Sequence, residues 1–418
     1  MSLTVRSDRA LIREQGGSVR YALVDLTAPE AVAGAARPAV NLAIVLDRSG
    51  SMGGQKIVVA RQAVAHALRL LTPRDRVALV AFDDEVDRVV GSTPATREAR
   101  RQALSALDHI DARGTTNLAG GWDVGCAEVA AHLAGESIGR CLLVTDGQAN
   151  RGETDPAALG RLAAAMRQRG VATSTFGIGA DFDERTLQQM AEGGQGHFYF
   201  VENVGAIPDL LASELGDALE IVAREAALVL HLPEGVGVEP LGPFRVAAAG
   251  RVVRIELGDL TSGQELRLVL KFVFRAGAAG ETRAVRCSLV DRESALGAAS
   301  QDVVWTFADR AENLAQPRDR VVDRAVAGLH AAIARHRALE LNQTGRYDEA
   351  RRLLERVARK IAAYAGDDPE LRQLVVALRA ESEDYGAHME AMEAKRRHFA
   401  SYNVQHRRMA DGKAVKRV

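Results

Sequence analysis

Five side chains in this sequence combine oxygen donors with a spacing that suits a hard divalent cation: Asp47, Ser49, Ser51, Thr116 and Asp146. The first three fall in Val45-Leu46-Asp47-Arg48-Ser49-Gly50-Ser51-Met52, directly after the apolar run 40–46. The fourth lies in Arg113-Gly114-Thr115-Thr116-Asn117-Leu118 and the fifth in Leu142-Leu143-Val144-Thr145-Asp146-Gly147. Each stands at or just beyond a strand-like run, or in a Gly-flanked loop before a helix, where open α/β sheets place their ligands. Magnesium takes oxygens at octahedral positions, keeps several waters and uses only one or two carboxylates. Two aspartates and three neutral hydroxyls leave such an ion under-coordinated, with room for one more oxygen from outside. In an extended loop, offsets of two and four residues from Asp47 put both serine hydroxyls on its side. Gly50 lets the backbone turn between them, and Gly114 frees the Thr loop to close from a third side.

The constellation resembles the metal-ion-dependent adhesion site of von Willebrand factor type A (VWA) domains, written Asp-x-Ser-x-Ser, then Thr, then Asp. All five positions are filled, and the resemblance covers roughly residues 39–223. Phe176-Gly177-Ile178-Gly179, the stretch 183–194 and His197-Phe198-Tyr199-Phe200 look like the late strands and intervening helix of bacterial members. Thr115 stands beside Thr116, and the resemblance selects Thr116 because the family's Thr directly precedes Asn-Leu or Asn-Ile. It implies a bacterial, intracellular protein whose site holds magnesium, with manganese or calcium as alternatives. The implied act is coordination of a partner protein's Asp or Glu at the open position. Arg48, Met52, Gln148, Asn150 and Arg151 surround the motifs and are read as the surface that chooses the partner.

The chain has 418 residues, more than one ordinary domain. Hydrophobic residues make up 47%, enough for full cores, while aromatics supply only 4%, so Ala and Val carry much of the packing. A net charge of -1 gives no whole-protein field favouring nucleic acid or membrane. Residues 1–15 lack the apolar segment of a signal peptide, and no apolar stretch approaches the roughly 18 residues of a membrane span. The expectation is a cytoplasmic protein that is not a channel. Cys126, Cys141 and Cys287 are too dispersed for a disulfide framework or zinc site and read as reduced core thiols.

The elements that must position the five residues follow from hydrophobic periodicity. Strand candidates at 40–46, 77–82, 141–145, 171–177 and 197–201 alternate with amphipathic stretches at 56–71, 118–133, 156–168 and 207–220. Near-uniform apolar strands signal burial on both faces of a parallel sheet, so the fold class is α/β, a doubly wound, mostly parallel, Rossmann-like sheet. Period-two alternation at 19–26, and again through 225–308, predicts an antiparallel β-sandwich. The expected organisation is 1–38 as the first part of that sandwich, 39–223 as the VWA domain and 224–309 as the second part. A helical hairpin or bundle follows over 310–394, with 371–394 as one long helix, and then a basic tail over 395–418. The stretch 339–350 resembles the turn of a tetratricopeptide-type hairpin, but no second copy is found. Asp83, Asp84, Glu85 and Asp87 read as a solvated acidic turn, and His197 as a packed strand residue.

Three functions compete. The first is a non-enzymatic, metal-dependent protein-binding module. The second is a scaffold or adaptor working through its sandwich and helices with a separate AAA-type ATPase, because no Walker-type loop occurs in the chain. The third is a magnesium-dependent hydrolase with Asp47 as nucleophile. Aspartate-based phosphatases place a second Asp where Ser49 stands, and the sequence reading finds no phosphate-clamping Lys near the motif. The expectation is therefore that the protein is not an enzyme.

Overall fold

The computed structural model describes residues 2–31, 37–135 and 137–417. Residues 32–36 of the expected linker lie outside the described residues. The chain divides into two compact units: Met1–Ala33 with Ile221–Ala410 and Ala414–Val418, and Gly34–Glu220 with Asp411–Lys413.

The first unit begins with β1 (Ser2–Ser7), β2 (Leu11–Arg13) and β3 (Ser18–Thr27). The chain then enters the α/β unit. Its strands are β4 (Val40–Asp47), β5 (Arg76–Phe82), β6 (Val86–Pro94), β7 (Ile138–Thr145), β8 (Val171–Ile178) and β9 (Gln195–Val201). Its helices are α1 (Gln55–Leu70), α2 (Arg97–Leu107), α3 (Leu118–Ala130), α4 (Pro156–Gln168), α5 (Glu184–Gly193) and α6 (Ile207–Leu219). The sheet order is β6-β5-β4-β7-β8-β9, parallel except for β6, which pairs antiparallel with β5. Every residue of β4, β7 and β8 is buried, as expected for strands covered on both faces. Helix α3 lies on β4, β5 and β7, α4 packs on β8, α5 on β8 and β9, and α1 pairs with α6. Side-chain caps start α2, α3, α4 and α5: Thr96, Asn117, Asp155 and Asp183 each accept a first-turn backbone N–H.

β6 was not anticipated by periodicity. Its residues are mostly half-exposed, so the strand lacks the uniform apolar signature of its neighbours. At the other end of β5, Asp75 accepts from Arg37 and from the backbone N–H groups of Val40 and Thr72. Burial alone would raise this carboxyl, but those bonds hold it down at about 2. They anchor the start of β4.

The first unit resumes with β10 (Ile221–His231), β11 (Val236–Leu241), β12 (Val246–Ala249), β13 (Val252–Thr261), β14 (Glu265–Phe274), β15 (Thr282–Val290) and β16 (Ser300–Ala308). Two sheets form, ordered β1-β3-β14-β11 and β12-β13-β10-β15-β16-β2. The sandwich is not wholly antiparallel, because β2 pairs parallel with β16. Trp305 is fully buried between the sheets, 4.9 Å from Phe272 and 5.0 Å from Phe274, and its indole N–H reaches Ser7 Oγ at 2.8 Å.

The helices are α7 (Arg310–Ala315), α8 (Arg320–Gln343), α9 (Tyr347–Ala365), α10 (Pro369–Tyr385) and α11 (Ala391–Gln405). Alternation along β3 and β14 serves two cores: Val24 and Leu268 face the sandwich, while Leu23 and Val269 pack with Val322, Val326 and Leu329 of α8. The expected single helix over 371–394 is broken, because Gly386 caps α10 and α11 starts five residues later. Residues 395–405, read as part of a basic tail, lie in α11, where Phe399 and Tyr402 are buried. Farther on, Arg407 donates to the carbonyls of Arg267 and Leu241, both at 2.7 Å, and Glu265 N–H bonds Val415 O. Counting charge missed these apolar and backbone anchors. All three cysteines are buried. Among the described residues no helix is long and apolar enough to cross a membrane.

Candidate metal centre

Chain order places the topological switch at the centre of the α/β sheet. From β4 the chain runs to β5 and β6 on one side, then returns to β7, β8 and β9 on the other. Leu46 pairs with Val144, so Asp47 and Asp146 emerge side by side at the carboxyl ends of β4 and β7. Open α/β sheets bind ligands in that crevice.

Both carboxylates are fully buried. Asp47 Oδ1 accepts from the backbone N–H of Ser49 at 2.7 Å, and Oδ2 accepts from the Thr145 hydroxyl. Ser49 Oγ and Ser51 Oγ are 3.1 Å apart, and Ser51 donates to Asp146 Oδ1 at 2.7 Å. The other oxygen of Asp146 accepts from Lys56 Nζ. Thr116 is buried while Thr115 is exposed. A Cβ built on Gly147 would stand 3.0 Å from Thr116 Oγ1 and 3.7 Å from Asp47 Oδ2, so hydroxyl and carboxylate flank that glycine. The five residues singled out from sequence thus converge on one crevice.

Three loops are stitched to hold them there. Gly50 N–H bonds Gly114 O at 3.1 Å, and Arg113 N–H bonds Arg48 O at 2.7 Å. Thr116 N–H donates to Asn150 Oδ1 at 3.0 Å. Asn117 then caps α3, fixing the helix directly after Thr116. Gly114 has φ +68, and a Cβ on it would meet Asp84 Oδ1 at 2.0 Å, so this close turn requires glycine.

Two of the residues expected to choose a partner do not face outward. Met52 is fully buried, and Arg48 is buried with its guanidinium 3.2 Å from Asp83 and 2.6 Å from Asp87. Of the acidic turn Asp83 alone is buried, and it also receives Arg113 at 2.7 Å as an internal anchor for the rim, while Glu85 and Asp87 stay exposed as a solvated turn would. Gln148, Asn150 and Arg151 remain exposed. Sequence reasoning, which looked only for a phosphate-clamping Lys near the motif, missed Lys56 on Asp146. It also missed Thr145 as a donor to Asp47.

Burial pushes the Asp47 carboxyl up to about 6; the Thr145 and Ser49 bonds oppose this, and the neighbouring Asp146 charge adds to it. An anion at this position therefore gains from a cation nearby. Among the described residues no cluster of three or more His, Cys, Asp or Glu could hold a metal, so any centre here depends on hydroxyl ligands. The donor set fits a small hard ion: oxygen only, few carboxylates and an open side for water or an incoming ligand.

Residues 41–213 match the family model of the von Willebrand factor type A domain. The uncharacterized protein YfbK of Escherichia coli is 28% identical over 190 residues, which is 45% of this chain and 33% of that protein. The uncharacterized protein sll0103 of Synechocystis is 27% identical over 242 residues, 55% of this chain and 56% of that one. The chain thus spans a third and somewhat over half of these relatives' lengths. Among solved structures, a von Willebrand factor type A protein from Catenulispora acidiphila superposes with TM-score 0.75 at 19% identity, over 99% of this chain and 97% of that one. This last likeness is one of fold.

Proposed function

We propose, with the VWA domain of residues 41–213 as premise, that the chain is a metal-dependent protein-binding protein. In this reading Asp47, Ser49, Ser51, Thr116 and Asp146 hold a divalent ion, magnesium by preference. When bound, the ion supplies a concentrated positive charge at which an Asp or Glu of a partner protein completes the coordination. The observation that carries the reading is the meeting of two fully buried carboxylates with three hydroxyls at the sheet's switch point.

Each residue has a separate task. Asp47 and Asp146 provide charge, and Ser49, Ser51 and Thr116 provide neutral oxygens. The Ser49 N–H and the Thr145 hydroxyl orient Asp47. Asn150 and the Gly50–Gly114 bond keep the Thr loop against the Asp loop. Exposed Gln148, Asn150 and Arg151 border the crevice and meet the partner first.

Titration calorimetry with magnesium chloride tests the centre directly. Wild type takes up one ion per chain, and the double variant Ser49→Ala, Ser51→Ala binds at least about tenfold more weakly, the loss expected for two oxygen ligands. Equal heats for both proteins would reject the centre. Partner binding that survived the double variant would instead favour the adaptor reading, with a separate AAA-type ATPase as a candidate partner. Metal-dependent turnover of a generic phosphoester, lost in Asp47→Asn, would revive the hydrolase reading.

A further inference from the structure

Lys56 stands in the first turn of α1, the end of a helix where the macrodipole favours anions. No acidic residue shares that turn to offset its charge. Its place is explained by the crevice: Nζ donates to Asp146 Oδ2, on a carboxylate with no exposed surface, while the lysine side chain keeps 27% exposure. The same ammonium passes beside Gly179, where a Cβ would stand 3.9 Å from it. Ser51 holds the other oxygen of Asp146, so this carboxylate is gripped from two sides.

We propose that Lys56 is a tethered counter-cation of the metal centre, which sets the free-ion concentration at which the centre fills. The inference rests on the metal-binding reading above. A divalent ion drawn to Asp146 meets a positive charge already on the same carboxylate. It must displace that ammonium or share the carboxylate with it, and either route weakens its binding. In a partly buried crevice the effective dielectric is well below that of water, so the penalty is worth about a tenfold change in affinity.

The test is calorimetric titration of the full chain with magnesium chloride alone at fixed pH and ionic strength. Wild type is compared with Lys56→Gln, Lys56→Met, Lys56→Arg and Asp47→Ala. The two charge-free variants are expected to bind magnesium about tenfold more tightly. Lys56→Arg, which keeps the charge, is expected to stay within about twofold of wild type. Asp47→Ala is expected to show no uptake. Unchanged or weaker binding in the variant or variants without the charge would overturn the proposal and make Lys56 a positioning residue for Asp146. Heats from wild type no different from those of Asp47→Ala would reject the metal reading itself, and this inference with it.

Discussion

Asp47 is under two opposing demands. Its burial disfavours the charged carboxylate, while the metal-ligand role proposed for it requires that charge. The carboxyl lies at about 6 in the fold against 3.8 for the free group, so the native state holds this proton more tightly than the unfolded chain. The resulting stability is fully present below about pH 4 and is lost as pH rises through about 6. Asp47→Asn is therefore expected to stabilise the protein in EDTA at pH 7.5 by on the order of 2 kcal/mol, while abolishing magnesium uptake. Denaturant unfolding of both proteins checks this, and an Asn variant less stable than wild type in EDTA would contradict it. The five oxygen-bearing residues were legible because each stands at or just beyond a strand end or in the loop before a helix, positions that motif spacing reveals. Lys56 was not, because a lysine in a first helical turn reads as solvated surface until the register of α1 over the sheet is known. Arg48 misled for the opposite reason: alternation in the loop points it outward, but the buried Asp83 draws it in.

At the scale of elements, α3 determines where the Thr loop ends. Gly121 and Gly125, one turn apart, face the sheet: a Cβ at Gly121 would stand 2.5 Å from Phe82 Cγ, and one at Gly125 2.3 Å from Val45 Cγ2. The helix can approach β4 and β5 this closely only without those side chains, and Thr116 sits immediately before it. Gly125→Ala favours helix intrinsically, but here it overpacks a core with little freedom to shift. We expect a loss of roughly 1–3 kcal/mol, with weaker magnesium binding as α3 and Thr116 move away from Asp47. Thermal melts and magnesium titration of the variant check both, and a stabilised variant with unaltered affinity would refute this role for α3. The helix was legible from its apolar periodicity, but the glycine contacts depend on which face meets the sheet. The central strands were equally legible from their uniform apolar character. Half-exposed β6 was not, because an edge strand carries no such signal.

For the whole molecule, the sandwich carries a hydrophobic core built from its own strands. Trp305, beside Phe272 and Phe274, is the largest side chain fully buried in the sandwich. Trp305→Ala is expected to cost roughly 3–5 kcal/mol in that unit and to leave magnesium affinity unchanged. Calorimetric unfolding alongside titration checks the pair, and a parallel loss of affinity would show that the centre depends on the sandwich core. Strands on either side of the α/β unit could be read as one sandwich because 19–26 and 266–274 share a period of two, and β3 does pair with β14. The helical end was less legible. Gly386 divides what looked like one helix, and the basic charge after 395 concealed Phe399 and Tyr402.

The central claim is that a metal held by Asp47 and its neighbours recruits an acidic partner, and affinity capture from native lysate tests it most directly. Wild type in magnesium is compared with wild type in EDTA and with Asp47→Ala in magnesium, and retained proteins are identified by mass spectrometry. A protein retained only by wild type in magnesium and released by EDTA is the expected result. The same retained proteins in all three arms would contradict it and move partner binding to the sandwich and helices.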